Sequence, residues 1–222
     1  MEIEAKFRVE DERTFTDLLG LTALGPFRLS PAPEPEDQRN VYFDTADGRL
    51  RAARYGLRVR DLGARRIATL KGASHVADGV YERDEWEVDV TDAQPETWPA
   101  SEARDRTLAL LGGATLAPIL TIRTLRRHIY VARGTDEIAE ISLDEGTISA
   151  GGREQRFREL EIELSGRAVR TDLDRIAELL RARYLLTPED RSKLARGLAL
   201  LDDRPTANST NPRKQGDRGG RV

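Results

Sequence analysis

The sequence predicts an α+β fold of mainly antiparallel β structure, in which an eight-stranded barrel or tunnel has helices packed outside. Three observations support this class. Apolar and charged residues alternate with period two over about eight segments, glycine-containing turns join several of these segments, and few segments show helical periodicity. Strands joined in this way form antiparallel barrels or strongly curved sheets.

The strands and helices are assigned from the spacing of apolar residues. Strands are predicted at residues 2–9, 40–43, 57–61, 67–71, 80–90, 119–133, 137–143 and 155–164. Helices are predicted at residues 11–20, 94–111, 168–183 and 190–201. Loops rich in proline, glycine and acidic residues separate these elements.

The length of 222 residues suits one domain with a tail. We predict one domain at residues 1–202 and a polar tail or linker at residues 203–222, where apolar residues are scarce. No run of apolar residues approaches the 18 or so of a membrane span, and the charged N-terminal residues do not resemble a secretory signal. We therefore expect a cytoplasmic protein without membrane partners.

The composition excludes several kinds of chemistry. The chain has no cysteine and only two histidines, which excludes thiolate nucleophiles, zinc–thiolate sites and histidine-rich metal sites. A net charge of -3 gives no general attraction to nucleic acid. Any metal must therefore be held mainly by carboxylates.

The polar faces of the predicted strands are almost entirely charged. The charged sets are Glu2, Glu4, Lys6 and Arg8; Arg58, Arg60 and Lys71; Arg83, Glu85, Glu87 and Asp89; Arg123 and Arg127; Glu140 and Asp144; and Glu159, Glu161 and Glu163. A sheet with one face in water is the simpler interpretation. However, solvated faces usually mix charged residues with Ser, Thr and Gln, so a tunnel with charged inner walls is the sharper hypothesis.

Such a tunnel would suit particular ligands. Clustered carboxylates favour a hard divalent cation such as Mg²⁺ or Mn²⁺. Clustered arginines and lysines favour phosphate, because a guanidinium can contact two oxygens and an ammonium supplies a compact charge. Both together are typical of metal-assisted phosphoryl chemistry, which needs no protein nucleophile.

Nine short motifs in order carry a family resemblance. They are EIEAK at residues 2–6, VYFDT at 41–45, GLRVR at 56–60, TLK at 69–71, RDEWE at 83–87, a basic strand around 123–127, EISLD at 140–144, ELEIE at 159–163 and RSK at 191–193. Over residues 1–200 the chain resembles the CYTH superfamily, also called triphosphate tunnel metalloenzymes. The resemblance implies an eight-stranded tunnel, a triphosphate or polyphosphate substrate and a divalent metal.

The resemblance also implies roles for individual residues. Metal would be bound by Glu2, Glu4, Glu161 and Glu163, with Asp144 and Glu159 as further metal residues. Glu140, Glu85 and Glu87 would complete the acidic side or orient water, and Lys6, Lys71, Glu85 and Glu87 would act in catalysis. Phosphates would be bound by Lys6, Arg58, Arg60, Lys71, Arg123, Arg126, Arg127 and Lys193. Position 125 is leucine where the family often has lysine, so Arg123 or Arg126 would substitute for that cation.

The resemblance leaves several activities open. Hydrolysis of inorganic tripolyphosphate is the first prediction, followed by thiamine triphosphatase, nucleoside triphosphatase and adenylate cyclase activity. A polyphosphate or nucleotide sensor without turnover is the non-enzymatic alternative, and a barrel with external charges is the structural one. An uncovered apolar outer surface would permit a homodimer.

Overall fold

One antiparallel sheet forms the frame of the molecule. The computed structural model describes residues 2–72, 75–77, 80–166 and 168–202, with residues 2, 75–77 and 80–83 described by their backbone. In this part of the chain the sheet has thirteen strands. The predicted tail at residues 203–222 lies outside the described residues, so its assignment stays a prediction.

The secondary structure alternates short strands, three long strands and peripheral helices. The strands are β1 (Glu2–Val9), β2 (Ala23–Leu24), β3 (Phe27–Pro31), β4 (Glu36–Thr45), β5 (Gly56–Asp61), β6 (Arg66–Lys71), β7 (His75–Ala77), β8 (Val80–Arg83), β9 (Glu85–Asp89), β10 (Leu116–Arg133), β11 (Asp136–Ala150), β12 (Arg153–Leu164) and β13 (Leu186–Pro188). The α-helices are α1 (Arg13–Leu19), α2 (Arg49–Ala52), α3 (Glu102–Leu111), α4 (Arg170–Arg183) and α5 (Lys193–Asp202).

Eight strands surround the interior, as predicted. The hydrogen-bonded order is β7-β8-β1-β12-β11-β10-β4-β5-β6-β9. One side ends at β8 with the short strand β7 paired to it, and the other side ends at β9. Strands β8 and β9 follow each other in the chain and are separated only by Asp84. Strand β8 pairs with β1, whereas β9 pairs with β6. The two sides of the sheet are therefore linked by the covalent chain at Asp84 and not by hydrogen bonds between β8 and β9. The α+β tunnel fold is thus confirmed, with an open hydrogen-bonding order.

Helices cover the outer face of this sheet in two places. On one side, α1 and α4 pack Phe15, Leu18, Leu173, Ile176 and Leu180 onto the apolar faces of β1, β10, β11 and β12. On the other side, the core of β5 and β6 is covered by residues of α2 and α3 and by Trp98. In the paired middle parts of β10 and β11, the residues of odd number belong to this outer apolar core, so the residues of even number face the interior.

Helix α5 packs differently, against residues of the inner face. Leu194 and Leu198 join the cluster that contains Leu120, Ile122 and Ile148. Gly197 permits this close approach, because a Cβ at that position would lie 2.5 Å from Leu120 Cδ2 and 3.2 Å from Ile148 Cγ2. The helix therefore lies across one end of the tunnel and brings its first residues inside.

The structure differs from the sequence prediction mainly in small elements. The predicted strand at residues 80–90 bends at Asp84, and the predicted helix at 94–111 begins only at Glu102, after a separate 3₁₀ turn at Pro95–Thr97. Helix α2 and the short strands β2, β3, β7 and β13 were not predicted. Elements of two to five residues contain too few positions to show a period.

The helices of the described residues are short relative to a bilayer. Within those ranges, none is long and apolar enough to cross a membrane.

Crowding at Gly197 provides a test of the position of α5. We expect Gly197→Leu to lower the free energy of unfolding by about 1–3 kcal/mol, since the added side chain would overlap Leu120 and Ile148. Helix propensity alone would favour leucine by up to about 1 kcal/mol. Urea unfolding should be compared with Ala199→Leu, which places the same residue on the exposed face of α5. Equal stability of the two variants would contradict this packing.

Candidate functional site

A cavity of about 700 Å³ lies between the inner faces of the strands and α5. It is lined by side chains from β1, β4, β5, β6, β9, β10, β11 and β12. Twelve of the charged residues predicted for the site line it: Glu4, Lys6, Arg58, Arg60, Lys71, Glu85, Glu87, Arg126, Asp144, Glu161, Glu163 and Lys193. Cross-strand register explains the convergence, because Lys6 pairs with Glu161, and Asp144 pairs with Glu159 on one side and with Arg126 on the other.

An acidic cluster is formed by Asp144 and Glu161, which line one wall of the cavity, and by Glu159 behind that wall. The Nζ atom of Lys193, at the start of α5, lies 2.9 Å from Asp144 Oδ2, 2.6 Å from Glu159 Oε2 and 2.7 Å from Glu161 Oε1. All three carboxylates are buried. A single ammonium group thus joins three charged groups that would otherwise repel one another.

Arg126 contacts the acidic cluster from the side opposite Lys193. Its Nε and Nη2 atoms donate to the two oxygens of Asp144, each over 2.7 Å, and Nη2 also donates to Glu161 Oε2 over 2.7 Å. Burial alone would lower the pKa of Arg126, but Asp144 and Glu161 raise it well above its ordinary value. The guanidinium therefore remains charged and fixes both carboxylates in place.

The same contacts keep the carboxylates ionised. Burial would raise the pKa of Glu161, but Lys193, Lys6 and Arg126 together hold it well below its usual range. The pKa of Asp144 is also lowered, by Arg126 and Lys193 against the effect of burial. Burial would lower the pKa of Lys193, and its two acidic neighbours raise it instead. Near neutral pH the cluster consists of charged groups in contact.

A second carboxylate group lies one layer away, on β1 and β12. Glu4 and Glu163 are direct cross-strand partners, and Glu163 also pairs with Glu140 on β11. Glu4 Oε1 lies 2.8 Å from Lys6 Nζ. Like charges placed opposite each other on neighbouring strands destabilise a sheet, so this layer favours a cation.

The donor chemistry of this region suits a hard divalent cation, because every candidate donor is a carboxylate oxygen. Among the side chains that the structure describes, however, no three acidic or histidine residues are arranged as a metal-binding group. The side chain of Glu2, predicted as a ligand, lies outside the described part. We therefore conclude that the donor types fit a metal, and that its ligand set stays a prediction.

The opposite wall is basic and belongs to β5 and β6. Lys71 Nζ lies 2.7 Å from Glu85 Oε2, and Arg58 Nη2 lies 3.6 Å from Glu85 Oε1. Glu87 accepts a hydrogen bond from Thr69 Oγ1 over 2.8 Å. Glu85 and Glu87 therefore contact the basic side chains and neighbouring strand β6, while the acidic cluster lies on the far strands.

Two arginines of this wall have unusual surroundings. Burial, together with the charges of Arg58 and Arg126, lowers the pKa of Arg60 to about 10, so that the group remains charged at neutral pH. The buried Nε of Arg58 has no hydrogen-bond acceptor among the described residues. Buried donors without acceptors are rare, and an anion beside Arg58 and Arg60 would satisfy both side chains.

The assignment of Arg123 and Arg127 to the inner face was wrong. Arg123 is exposed and lines a separate shallow groove, and Arg127 pairs with Leu143, which packs in the outer core. Side chains alternate between the two faces of a strand, so Arg126 points to the inner face while Arg123 and Arg127 point outward. Of these three arginines, Arg126 is therefore the one that lines the cavity.

Two other predicted residues lie beside the cavity rather than on its surface. Glu159 is buried behind Lys193 and also pairs with Arg196. Glu140 accepts hydrogen bonds from Ser142 over 2.8 Å and contacts His128 Nδ1 at 2.6 Å. Burial would raise the pKa of Glu140, but His128 and Ser142 lower it.

Some residues of the cavity were not identified from the sequence. Arg196 follows Lys193 by three residues, so helical spacing placed both on one face of α5 and could have indicated it. Gln38 and Asn40 line the cavity from β4, and Asn40 Oδ1 accepts a 3.2 Å hydrogen bond from Arg60 Nε. Neutral amides on a strand give no comparable signal.

Comparison with known proteins agrees with this architecture. The CYTH domain family matches residues 1–198. An inorganic triphosphatase of Haemophilus influenzae is 29% identical over 164 residues, which are 72% of this chain and 45% of that protein. The chain therefore spans less than half the length of this curated relative.

Solved structures with similar folds cover nearly the whole chain. A candidate adenylyl cyclase of Hippeastrum, described as having a dominant triphosphatase activity, has a TM-score of 0.68 and 22% identity, covering 90% of this chain and 97% of its own. A protein of Pyrococcus horikoshii has a TM-score of 0.57 and 19% identity, covering 90% and 99% respectively. At these identities the likenesses show the fold.

The lowered pKa of Glu161 predicts a pH-dependent contribution to stability. A carboxylate whose pKa is depressed on folding stabilises the protein above its unfolded pKa of about 4.3, and this contribution is lost as the pH falls towards the folded pKa. We expect Glu161→Gln to lower the free energy of unfolding at pH 7 by about 3 kcal/mol, because three cations lose their partner. The deficit should shrink at pH 3.5.

Urea unfolding at the two pH values measures this difference. Glu96→Gln is the matched control, since Glu96 is exposed on the surface. A deficit for Glu161→Gln that is the same at pH 7 and pH 3.5 would show that the carboxylate is not held ionised by its neighbours.

Proposed function

The chain belongs to the CYTH domain family, and on that premise we propose that it hydrolyses the terminal phosphoanhydride bond of a triphosphate, with inorganic tripolyphosphate as the first candidate substrate. One observation carries the proposal: a basic wall and an acidic wall face the same cavity. The proposed substrate carries several negative charges, and a divalent cation would accompany it. The basic wall would bind the negatively charged substrate, and the acidic wall would bind the divalent cation.

The basic wall would bind the phosphates. Arg58 and Arg60 lie two residues apart on β5 and so point the same way, and Lys71 lies on the neighbouring strand beside Gly56. A guanidinium contacts two phosphate oxygens at once, while the lysine supplies a compact charge. Glu85, in contact with both Arg58 and Lys71, would position these cations.

The acidic side would hold Mg²⁺ or Mn²⁺. Glu4, Glu161 and Glu163 are the proposed ligands on the cavity surface, and Glu2 is the proposed partner of Glu4 on β1. Asp144 and Glu159 are further proposed metal residues, which share Lys193 with Glu161. When bound, a divalent cation neutralises phosphate charge and lowers the pKa of a coordinated water. The chain contributes carboxylates that remain deprotonated near neutral pH, because Lys193 and Arg126 depress the pKa of Asp144 and Glu161.

The curated relative supports this choice of reaction. The protein of Haemophilus influenzae is named an inorganic triphosphatase, and the matched segment covers 72% of this chain. Because the matched segment is only 45% of that protein, we assign its activity to this chain as a proposal. A polyphosphate sensor would need the basic wall but would gain little from carboxylates aimed at its ligand.

Loss of one carboxylate tests metal-dependent turnover. Phosphate release from tripolyphosphate, thiamine triphosphate and ATP should be measured with Mg²⁺, with Mn²⁺ and with a chelator, and cyclic AMP should be measured for ATP. We expect Glu4→Gln to reduce release from tripolyphosphate by about 100-fold, because it removes a proposed metal ligand at constant volume. The control is Glu154→Gln, an exposed carboxylate outside the cavity.

The screen separates the candidate activities. Unchanged turnover in Glu4→Gln would contradict the assignment of the acidic side. Tight binding of tripolyphosphate without phosphate release in the unmodified protein would favour the sensor.

A pair of arginine variants tests the basic wall. We expect Arg58→Lys to raise the KM for tripolyphosphate about tenfold, because lysine keeps the charge but loses the two-pronged contact. Arg123→Lys makes the same change on the exposed outer face and should leave KM unchanged. If both variants raise KM equally, the phosphates do not bind at the basic wall.

A further inference from the structure

Three polar side chains follow the inner face of β4. Glu36, Gln38 and Asn40 occupy alternate positions of this strand and therefore lie on one face of it. Gln38 and Asn40 line the cavity and are 2% and 5% exposed, whereas Glu36 is half-buried and lies outside the cavity lining. The phosphate and metal chemistry of the proposed function gives none of these three residues a role.

The three side chains form a row of hydrogen bonds that starts at Arg60 on the neighbouring strand. Arg60 Nε donates to Asn40 Oδ1 over 3.2 Å, and Asn40 Nδ2 donates to Gln38 Oε1 over 3.4 Å. Gln38 Nε2 then donates to Glu36 Oε1 over 2.5 Å. Every bond of the row is donated in the same direction, from Arg60 towards Glu36. We call Glu36, Gln38 and Asn40 the amide relay.

The two ends of the row fix the orientation of both amides. A guanidinium only donates hydrogen bonds, and an ionised carboxylate only accepts them. Asn40 must therefore present its oxygen to Arg60 and its NH₂ group to Gln38, and Gln38 must present its NH₂ group to the carboxylate. A reversed amide would oppose two donors or two acceptors inside the protein, which is unfavourable for buried polar groups.

Glu36 can accept from Gln38 because the cation opposite it is engaged elsewhere. The Cα partner of Glu36 on β10 is Arg126, whose guanidinium donates to Asp144 and Glu161. Within the described ranges, the hydrogen bond from Gln38 is the only one that the Glu36 carboxylate accepts. The carboxylate thus ends the row.

Arg60 depends on this support more than Arg58 does. Burial, with the neighbouring charges of Arg58 and Arg126, lowers the pKa of Arg60 to about 10. Arg58 contacts the carboxylate of Glu85, whereas Arg60 forms no ion pair with any side chain that the structure describes. The hydrogen bond to Asn40 is therefore the contact that fixes its guanidinium.

A neutral amide holds Arg60 without cancelling its charge. A carboxylate at position 40 would form an ion pair with the guanidinium and compete with an entering phosphate. The carboxylate of the amide relay instead belongs to Glu36, four residues away, a backbone distance of about 13 Å. Because Asn40 engages Nε, the two Nη groups of Arg60 remain for contacts with phosphate oxygens.

We propose that the amide relay orients Arg60 for phosphate binding, so that Glu36, Gln38 and Asn40 are positioning residues of the proposed hydrolase. The inference rests on the proposed function for the position of the phosphates. A triphosphate that enters the cavity meets a guanidinium already held in place, so less side-chain freedom is lost on binding. The amide relay thus raises affinity through Arg60.

Removal of the first amide tests the contact with Arg60. Titration calorimetry with tripolyphosphate and a chelator measures binding without turnover. We expect Asn40→Leu, a change to an apolar side chain of similar size, to raise the Kd about fivefold. In an Arg60→Met background the same change should raise the Kd less than about twofold, since the group on which it acts is gone. The matched control is Gln94→Leu, which removes an exposed amide and should leave the Kd unchanged.

The far end of the row provides a pair of variants outside the cavity lining. Glu36→Met removes the last acceptor, whereas Glu36→Gln removes the same charge but keeps an oxygen that accepts from Gln38. We expect Glu36→Met to raise the Kd of tripolyphosphate about threefold and Glu36→Gln to raise it by less than about 1.5-fold. The two variants have similar size and equal charge, so a difference between them reports the hydrogen bond.

The variants show whether the effect passes through Arg60. An effect of Asn40→Leu that persists undiminished in the Arg60→Met background, or is absent in the unmodified chain, would overturn the amide relay. Equal Kd values for Glu36→Met and Glu36→Gln would overturn it as well. If Asn40→Leu fails to fold, the pair at Glu36 decides the question.

The outcomes also separate the amide relay from the proposed function. Failure of the relay variants alone leaves hydrolysis standing as long as Arg60→Met weakens binding of tripolyphosphate. An unchanged Kd in Arg60→Met would overturn both the relay and phosphate binding at this arginine. The expected Kd changes, in a protein that releases no phosphate with Mg²⁺ or Mn²⁺, would support the relay and overturn hydrolysis.

Discussion

Charged side chains on the inner faces of the strands have left bulk water, and contact with an opposite charge offsets the free energy that burial costs them. Glu161 is the centre of this constraint, because Lys193, Arg126 and Lys6 approach it from α5, β10 and β1. The three cations come from distant parts of the chain. The curved sheet and the position of α5 therefore depend on the same set of ion pairs that keeps Asp144 and Glu161 deprotonated.

The pairing leaves the two walls of the cavity with different properties. The acidic cluster is saturated with internal cations, whereas the buried Nε of Arg58 has no acceptor among the described residues. An entering polyanion would therefore gain most on the basic wall of β5 and β6. A metal would share carboxylates that Lys193 and Lys6 already contact, which makes the start of α5 part of any metal chemistry at this site.

Helix α5 brings both charged and apolar side chains to the site. Lys193 and Arg196 extend into the acidic cluster, while Leu194 and Leu198 line the cavity. Gly197 allows the helix to lie close enough for both contacts. A single ten-residue helix thus supplies cations to the acidic cluster and apolar side chains to the lining of the cavity.

Much of the fold and site could be predicted from the sequence because strand periodicity is a strong signal. Alternation along β1 and β12 correctly placed Glu4, Lys6 and Glu161 on one face. The same signal failed on β10, because Arg123, Arg126 and Arg127 are distributed over both faces of the strand. In addition, a register shift between Pro118 and Leu120 interrupts the pairing of β10 with β4. Local sequence could not reveal that α5 packs against the inner face of the sheet, since Leu194 and Leu198 meet Leu120, Ile122 and Ile148 only through tertiary packing.

The central claim is that a triphosphate binds inside the sheet against the basic wall. A crystal structure of the protein grown with tripolyphosphate and a chelator tests it most directly. We expect phosphoryl oxygens within hydrogen-bonding distance of Arg58, Arg60 and Lys71. Tripolyphosphate found only on the outer face, near Arg123, would contradict it.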